Sequence, residues 1–237
     1  MKVRNNGILY IVSGERHLAE AIQSIESVRH FSEIPITVIC DRLPSEPVRA
    51  AFLVRPTGQL KWPKAQWVAE TPYDRTLCLD TDTIMLRGDS LTAFDLLDRF
   101  DMAMGLAPSQ GFAPTDAMPR AFPHFNCGVI YYKKNDRTLP LFEDWKKRYL
   151  IAEKEGRGDQ GSLAAAVYHS DARVAVLADH WNFRAHNAVR LEPESIRILH
   201  NRHAQEEVFT GDIYFNPDNA VRWLQGRRCR CEVDKSR

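Results

Sequence analysis

The chain has 237 residues, 44% of them hydrophobic and 27% charged, which fits an ordinary globular protein long enough to bury a substantial core. A formal net charge of +1 excludes a global field for gathering nucleic acid or an anionic membrane, so any anionic ligand must be held by local groups. No window approaches the ~20 apolar residues of a transmembrane segment.

The first apolar run, Ile8 to Val12, is closed by Ser13-Gly14 and lacks a small-residue cleavage site, so it reads as a strand and not as a signal peptide. Leu18, Ala21, Ile22, Ile25 and Val28 recur at helical spacing, and Pro35 then opens the β-branched run ITVIC. This strand–helix–strand order implies a right-handed βαβ unit and a parallel sheet. A helical stretch broken by Pro44, Pro47 and Pro56 is expected next, followed by a helix from Pro63 to Glu70. Leu77 to Leu86, LCLDTDTIML, reads as one strand, and Ser90 to Phe100 as a helix with Ser90 as N-cap. Further strands are expected at Asp101–Leu106 and FNCGVIYY, separated by a four-proline loop over 107–124 whose length marks it as functional or disordered. Phe112, Phe122 and Phe125 in or beside that loop either pack it or stack on a ligand ring. Helices at Leu139–Ala152 and Asp159–Tyr168, short strands at Val174–Leu177 and Ile196–His200, and a last helix at Pro217–Leu224 complete an α/β domain. Cys40, Cys78 and Cys127 fall in or directly after predicted strands, as buried reduced thiols of a cytoplasmic protein would. Cys229 and Cys231, in RRCRC, match no zinc spacing and read as part of a solvated basic tail.

LCLDTDTIML places two like charges in an apolar run, which is costly without a counter-charge. Residues two apart on a strand share a side, so Asp80 and Asp82, with Thr81 between them, would aim together near the strand's carboxyl end. A divalent cation is the simplest counter-charge, and oxygen ligands favour Mg²⁺ or Mn²⁺. Two other readings stand beside it. The pair can be solvated where a strand becomes a loop, or LDTDT can be the D-x-D-x-T of a HAD-like phosphatase. That phosphatase pattern needs its strand near the start of the domain, whereas a βαβ unit comes first here.

Beyond this strand the sequence resembles the GT-A glycosyltransferases, specifically the family-eight-like and related nucleotide-diphospho-sugar transferases. ILYIVSG, KAQWVAETPYDRTLCLDTDT, FNCGVIYY, GDQGSLAAAVY, LADHWNFR and IRILHNRH carry the resemblance, in that order, from Ile8 to His203. It implies a single GT-A domain over 1–237 with a mostly parallel central sheet flanked by helices. Its donor-binding half is about 1–105 and its acceptor and metal-completing half about 106–237. The implied activity is transfer from a nucleotide-diphosphate sugar, most plausibly a UDP-sugar with Mn²⁺ (or Mg²⁺), with retention, to an unknown glycan, lipid or protein acceptor.

The resemblance also implies roles for residues. Asp80 and Asp82 become the DxD element binding the metal and ribose-diphosphate, and His200 the third protein ligand. Asn126 and Gly128 match the stretch lining the donor sugar. Asp159 and Gln160 match the pair that contacts sugar hydroxyls on the reacting face, Lys64 a cation near the donor, and the backbone of Ile11, Val12, Ser13 and Gly14 the cradle for base and ribose. The Gly and Lys that family-eight members carry after the ligating His are missing from HNRHAQEE, and Arg202 is the cation that can replace them. Each residue keeps a structural alternative: His200 as a satisfied strand-end imidazole, Asn126 as a shaper of the strand start, Asp159 as a helix N-cap, Lys64 as a surface charge. Trp181 and Asn182 read as packing, with Trp62, Trp67 and Trp145 lining core or groove. A non-catalytic sugar-nucleotide binder is the remaining alternative.

Overall fold

The computed structural model describes residues 5–107, 118–119, 121–184 and 195–200. Its strands are β1 (Asn6–Val12), β2 (Ile36–Cys40), β3 (Ala51–Val54), β4 (Arg75–Leu79), β5 (Thr83–Met85), β6 (Met102–Leu106), β7 (Phe125–Lys133), β8 (Val174–Val176) and β9 (Ile198–His200). The α-helices are α1 (Glu15–Phe31), α2 (Lys64–Trp67), α3 (Thr138–Lys154) and α4 (Asp159–Tyr168). Seven strands form one sheet in the order β3-β2-β1-β4-β7-β6-β8, and β5 with β9 forms a separate two-stranded sheet. The β1–β2, β1–β4, β2–β3 and β6–β8 pairs are parallel, whereas β7 runs antiparallel to both β4 and β6. The sheet is therefore mostly parallel, as expected, with one reversed strand inside it.

Alternation along the strands splits the core into two layers. Ile8, Tyr10, Leu77, Leu79, Val129 and Tyr131 face α1 through its Leu18, Ala21, Ile25 and Val28. Leu9, Ile11, Cys78, Ile130 and Tyr132 pack on the other side with Leu141, Phe142, Trp145 and Tyr149 of α3 and Leu163 of α4. Each large side chain so buried contributes about 1.5–3 kcal/mol relative to exposure. Phe122 and Phe125 pack here against each other and, for Phe122, against Tyr168.

Several expectations need correction. LCLDTDTIML is not one strand: β4 ends at Leu79, Asp80–Asp82 form a turn, and β5 restarts in the second sheet. The broken helical stretch before Pro56 holds β3, an edge strand between Pro47 and Pro56, where prolines are tolerated. Gly88–Asp98 is a 3₁₀ helix, and Ser90 does not cap it. Its hydroxyl donates to the carbonyls of Arg87 (2.5 Å) and Arg197 (3.1 Å), tying the turn to β9. Gly158, not Asp159, is the N-cap of α4. No described helix is long and apolar enough to cross a membrane.

Candidate functional site

Parallel β1, β2 and β4 end together, and the Asp80–Asp82 turn leaves the sheet at that edge, where open α/β sheets gather ligands. Four hydrogen bonds shape the turn. Asp80 donates its amide to Gly128 O (2.8 Å), and Thr83 Oγ1 donates to Asp80 O (2.8 Å). Thr81 Oγ1 donates to Glu20 Oε2 (2.9 Å), and Thr83 Oγ1 also meets Ser24 Oγ (3.0 Å), itself bonded to the Tyr10 hydroxyl. The polar residues on the buried face of α1 thus fasten the turn that apolar periodicity alone would not explain.

The second sheet delivers His200. β5 pairs antiparallel with β9, setting His200 opposite Thr83, one residue beyond Asp82. The imidazole Nε2 lies 3.3 Å from Asp80 Oδ2 and 3.4 Å from Asp82 Oδ1, and ligand atoms of all three residues lie within 4.8 Å of one another. His200 is only 5% exposed, and Gly128 explains how the ring fits: a Cβ at position 128 would fall inside the imidazole. Burial opposes the imidazolium, but the Asp80 and Asp82 carboxylates outweigh it and raise the His200 pKa. Two carboxylate oxygens and an imidazole nitrogen at this spacing suit a divalent cation, so the expected donor set fits the metal that the resemblance implies.

Lys64 is buried, which rules out a surface charge. Its ammonium donates to Asp80 Oδ1 and, at 2.6 Å, to the Cys127 carbonyl. Burial would lower its pKa, but Asp80 more than offsets this and holds Lys64 protonated. Burial would likewise raise Asp80, yet Lys64 and His200 keep its carboxyl well below the usual range. At the start of α4, Trp145 Nε1 donates to the Asp159 carbonyl (2.9 Å), fixing the helix end against α3. Burial pushes the Asp159 carboxyl up to about 7, with Lys64 opposing and Asp80 reinforcing the shift. Gln160 is 9% exposed, and its Nε2 has no hydrogen-bond partner among the described residues. A buried amide donor without a partner is costly, and a ligand hydroxyl would relieve it.

At the end of β1, Ile11 and Val12 bury their side chains, leaving backbone at Ser13-Gly14. Gly14 has φ 79°, and its N–H points at Asp41 Oδ1 (3.2 Å) and Oδ2 (3.1 Å). Asp41, directly after β2, had no role assigned from the sequence, where it is visible only as the Asp closing a β-branched strand. Asn182 was also passed over as packing, although it stands in LADHWNFR: it is buried and bonded to both His200 and Asn126. Asn126 is buried with its oxygen occupied. Arg202, and with it His203, the Cys229–Cys231 tail, Phe112 and the Pro217–Leu224 helix, lie outside the described residues.

Comparison by sequence finds no match to a protein-family model or to a curated protein. Comparison by structure does find relatives. The galactosyltransferase LgtC, in complex with donor and acceptor sugar analogues, superposes with a TM-score of 0.62 at 14% identity, over 92% of this chain and 94% of LgtC. The glycosyltransferase GlyE of Streptococcus pneumoniae TIGR4 gives 0.63 at 17% identity, over 93% of this chain and 60% of GlyE. The bifunctional glycosyltransferase WbbM gives 0.61 at 13% identity, over 94% of this chain and 50% of WbbM. The chain therefore has the GT-A fold of nucleotide-diphospho-sugar transferases.

Proposed function

We propose that this protein is a glycosyltransferase that moves a sugar from a nucleotide-diphosphate sugar, a UDP-sugar, to a hydroxyl of a glycan, lipid or protein acceptor. The observation that carries the reading is the convergence of Asp80, Asp82 and His200 at the carboxyl edge of a GT-A sheet, with Asp159 near enough to feel the Asp80 charge. Asp80, Asp82 and His200 would hold Mn²⁺ or Mg²⁺. Such an ion, when bound, supplies positive charge to the diphosphate leaving group. The other steps belong to the chain itself. Lys64 balances Asp80 and keeps its carboxylate ionised and oriented. Backbone at Ile11–Gly14, with the neighbouring Asp41 and Thr81, binds the base and ribose. Gln160 gives its unpartnered amide to a sugar hydroxyl, and Asp159, with its carboxyl near neutrality, exchanges hydrogen bonds with another. Asn126 and Gly128 of β7 line the donor-sugar side of the site.

Transfer proceeds with retention. The acceptor oxygen bonds to the anomeric carbon as the bond to the β-phosphate oxygen breaks on the same face, and the acceptor proton passes to that oxygen. The donor half is about 1–105 and the acceptor half about 106–237 of a single domain. Cys40, Cys78 and Cys127, buried and free among the described residues, fit a reducing, cytoplasmic setting. The phosphatase reading loses ground because a β1–α1–β2 unit precedes β4 and the structurally similar proteins are glycosyltransferases.

The test is release of UDP from a panel of UDP-sugars with Mn²⁺, with EDTA, and in Asp82→Ala. Release should require the cation and fall by at least about 100-fold in the variant, as loss of a charge-neutralising ligand set implies. Release that survives chelation contradicts the proposal. Tight UDP binding without turnover on any donor or acceptor would favour a sugar-nucleotide binder.

A further inference from the structure

His200 has two ring nitrogens, and only one can face Asp80 and Asp82. A chain of three hydrogen bonds behind the ring decides which. Gly128 N–H meets Asn126 Oδ1 (2.8 Å), the same oxygen meets Asn182 Nδ2 (2.9 Å), and Asn182 Oδ1 meets His200 Nδ1 (2.9 Å).

The polarity of this chain follows from its first member. A backbone N–H can only donate, so the Asn126 atom facing it is the carbonyl oxygen. That oxygen can only accept, so the Asn182 atom facing it is the NH₂ group. The other Asn182 atom is then a carbonyl oxygen, and the His200 nitrogen opposite it must carry a proton. Nδ1 is thereby committed as donor, and Nε2 is the nitrogen left to face the carboxylates. All three side chains are nearly buried, at 3%, 6% and 5% exposure for Asn126, Asn182 and His200, so water cannot easily substitute for a missing partner. Gly105 adds confinement: a Cβ there would sit 3.3 Å from the Asn182 side chain.

We infer that Asn182 is a positioning residue for the cation site. Its carbonyl, oriented through Asn126 by the Gly128 amide, fixes the His200 tautomer and ring plane so that Nε2 is presented alongside Asp80 and Asp82. The inference rests on the metal-dependent reading above and deepens it. Gly128 then serves both arms of the donor set. Its carbonyl accepts the Asp80 amide, its amide starts the chain that ends at His200, and its missing side chain makes room for the ring. A metal-ligating histidine whose second nitrogen donates to a fixed acceptor is held in one orientation, and losing that acceptor weakens binding by about 10- to 100-fold.

The test uses the full chain without sugar donor. Long-range ¹H–¹⁵N NMR on ¹⁵N-histidine-labelled, metal-free protein should find a proton on His200 Nδ1, and this proton should persist whatever the state of Nε2. Mn²⁺ binding, followed by the paramagnetic resonance signal of the free ion, should weaken by about 10- to 100-fold in Asn182→Ala. Asn182→Asp, which retains an acceptor toward His200, should bind closer to wild type than Asn182→Ala does. Asn126→Asp keeps the oxygen that both neighbours need and should leave Nδ1 protonated. A bare Nδ1 in the wild type overturns the inference, as does unchanged Mn²⁺ affinity in a folded Asn182→Ala. If Asn182→Ala fails to fold, the wild-type NMR and the Asp variants still decide. A protonated Nδ1 in a wild type that takes up no Mn²⁺ would instead overturn the metal reading, and with it the purpose given to Asn182.

Discussion

Asp80 and Asp82 stood out in the sequence on their own chemistry, two like charges in an apolar run, whereas Lys64, His200, Asp159 and Gln160 were singled out only through the resemblance. Asn182 and Asp41 were singled out by neither. An asparagine acquires a role only from what its two ends meet, and Asn182 meets partners 18 and 56 residues away. Gly128 stood out in the sequence as part of FNCG, and the structure adds a reason for it beside the donor role the resemblance implies: its lack of a side chain admits the His200 ring. The consequence is a sharp expectation for Gly128→Ala. The new methyl overlaps the imidazole, so stability should fall by about 1–3 kcal/mol, as for other overpacked sites. Calorimetry should also find the Mn²⁺-induced rise in melting temperature lost. A variant that melts like the wild type and keeps that rise would remove Gly128 from the account.

At the scale of elements, strands with strong apolar patterning and the helices α1, α3 and α4 were found close to their observed bounds. The failures have local causes. β3 has four half-exposed or exposed residues and no alternation, so nothing in its own sequence marks it; pairing with β2 creates it. The break inside LCLDTDTIML was hidden because both fragments are apolar, and only side chains of α1 reveal where the turn is fastened. That break matters, since it lets β5 leave the main sheet and pair with β9, and His200 arrives by that route. The α3–α4 corner has an equally specific link in the Trp145 indole, which is fully buried and donates to the Asp159 carbonyl. Trp145→Phe should cost about 1–3 kcal/mol through the lost hydrogen bond and the cavity. If α4 bears on the sugar and not on the nucleotide, as proposed, UDP affinity should stay near wild type by titration calorimetry while sugar transfer slows. Equal losses in both would place α4 elsewhere in the reaction.

Across the whole molecule the sheet has two different ends. The carboxyl ends of β1, β2 and β4 carry the site, while the opposite end, where Arg75 pairs with Lys133, is closed by a buried carboxylate. Asp101 accepts hydrogen bonds from Asn135 Nδ2 (3.0 Å), Arg137 Nη1 (3.2 Å), and Arg173 N (2.9 Å) and Nε (3.2 Å). Burial pushes its carboxyl up, but Arg173, Asn135 and Arg137 prevail and hold it well below the ordinary range. A depressed carboxylate contributes stability that is present above its unfolded pKa of about 3.9 and is lost as the pH falls below that. Urea unfolding of Asp101→Asn at pH 7 should therefore show a loss of about 2–4 kcal/mol, with a flatter decline than wild type below about pH 4. An unchanged acid limb would mean that Asp101 does not anchor that end. The general topology was legible from the βαβ start and the order of motifs, but the reversed β7 was not. It is β7 that brings Gly128 to the Asp80 turn.

In the proposed function Asp80, Asp82 and His200 would together hold one divalent cation at the place where the diphosphate of the donor binds. Crystals grown with UDP and Mn²⁺, with data collected at the manganese edge, test it most directly. One anomalous peak in coordinating contact with all three side chains, with UDP density running from it toward Ser13-Gly14, is the expected result. An anomalous map empty at that position while UDP is bound elsewhere, or manganese held without His200, would contradict it.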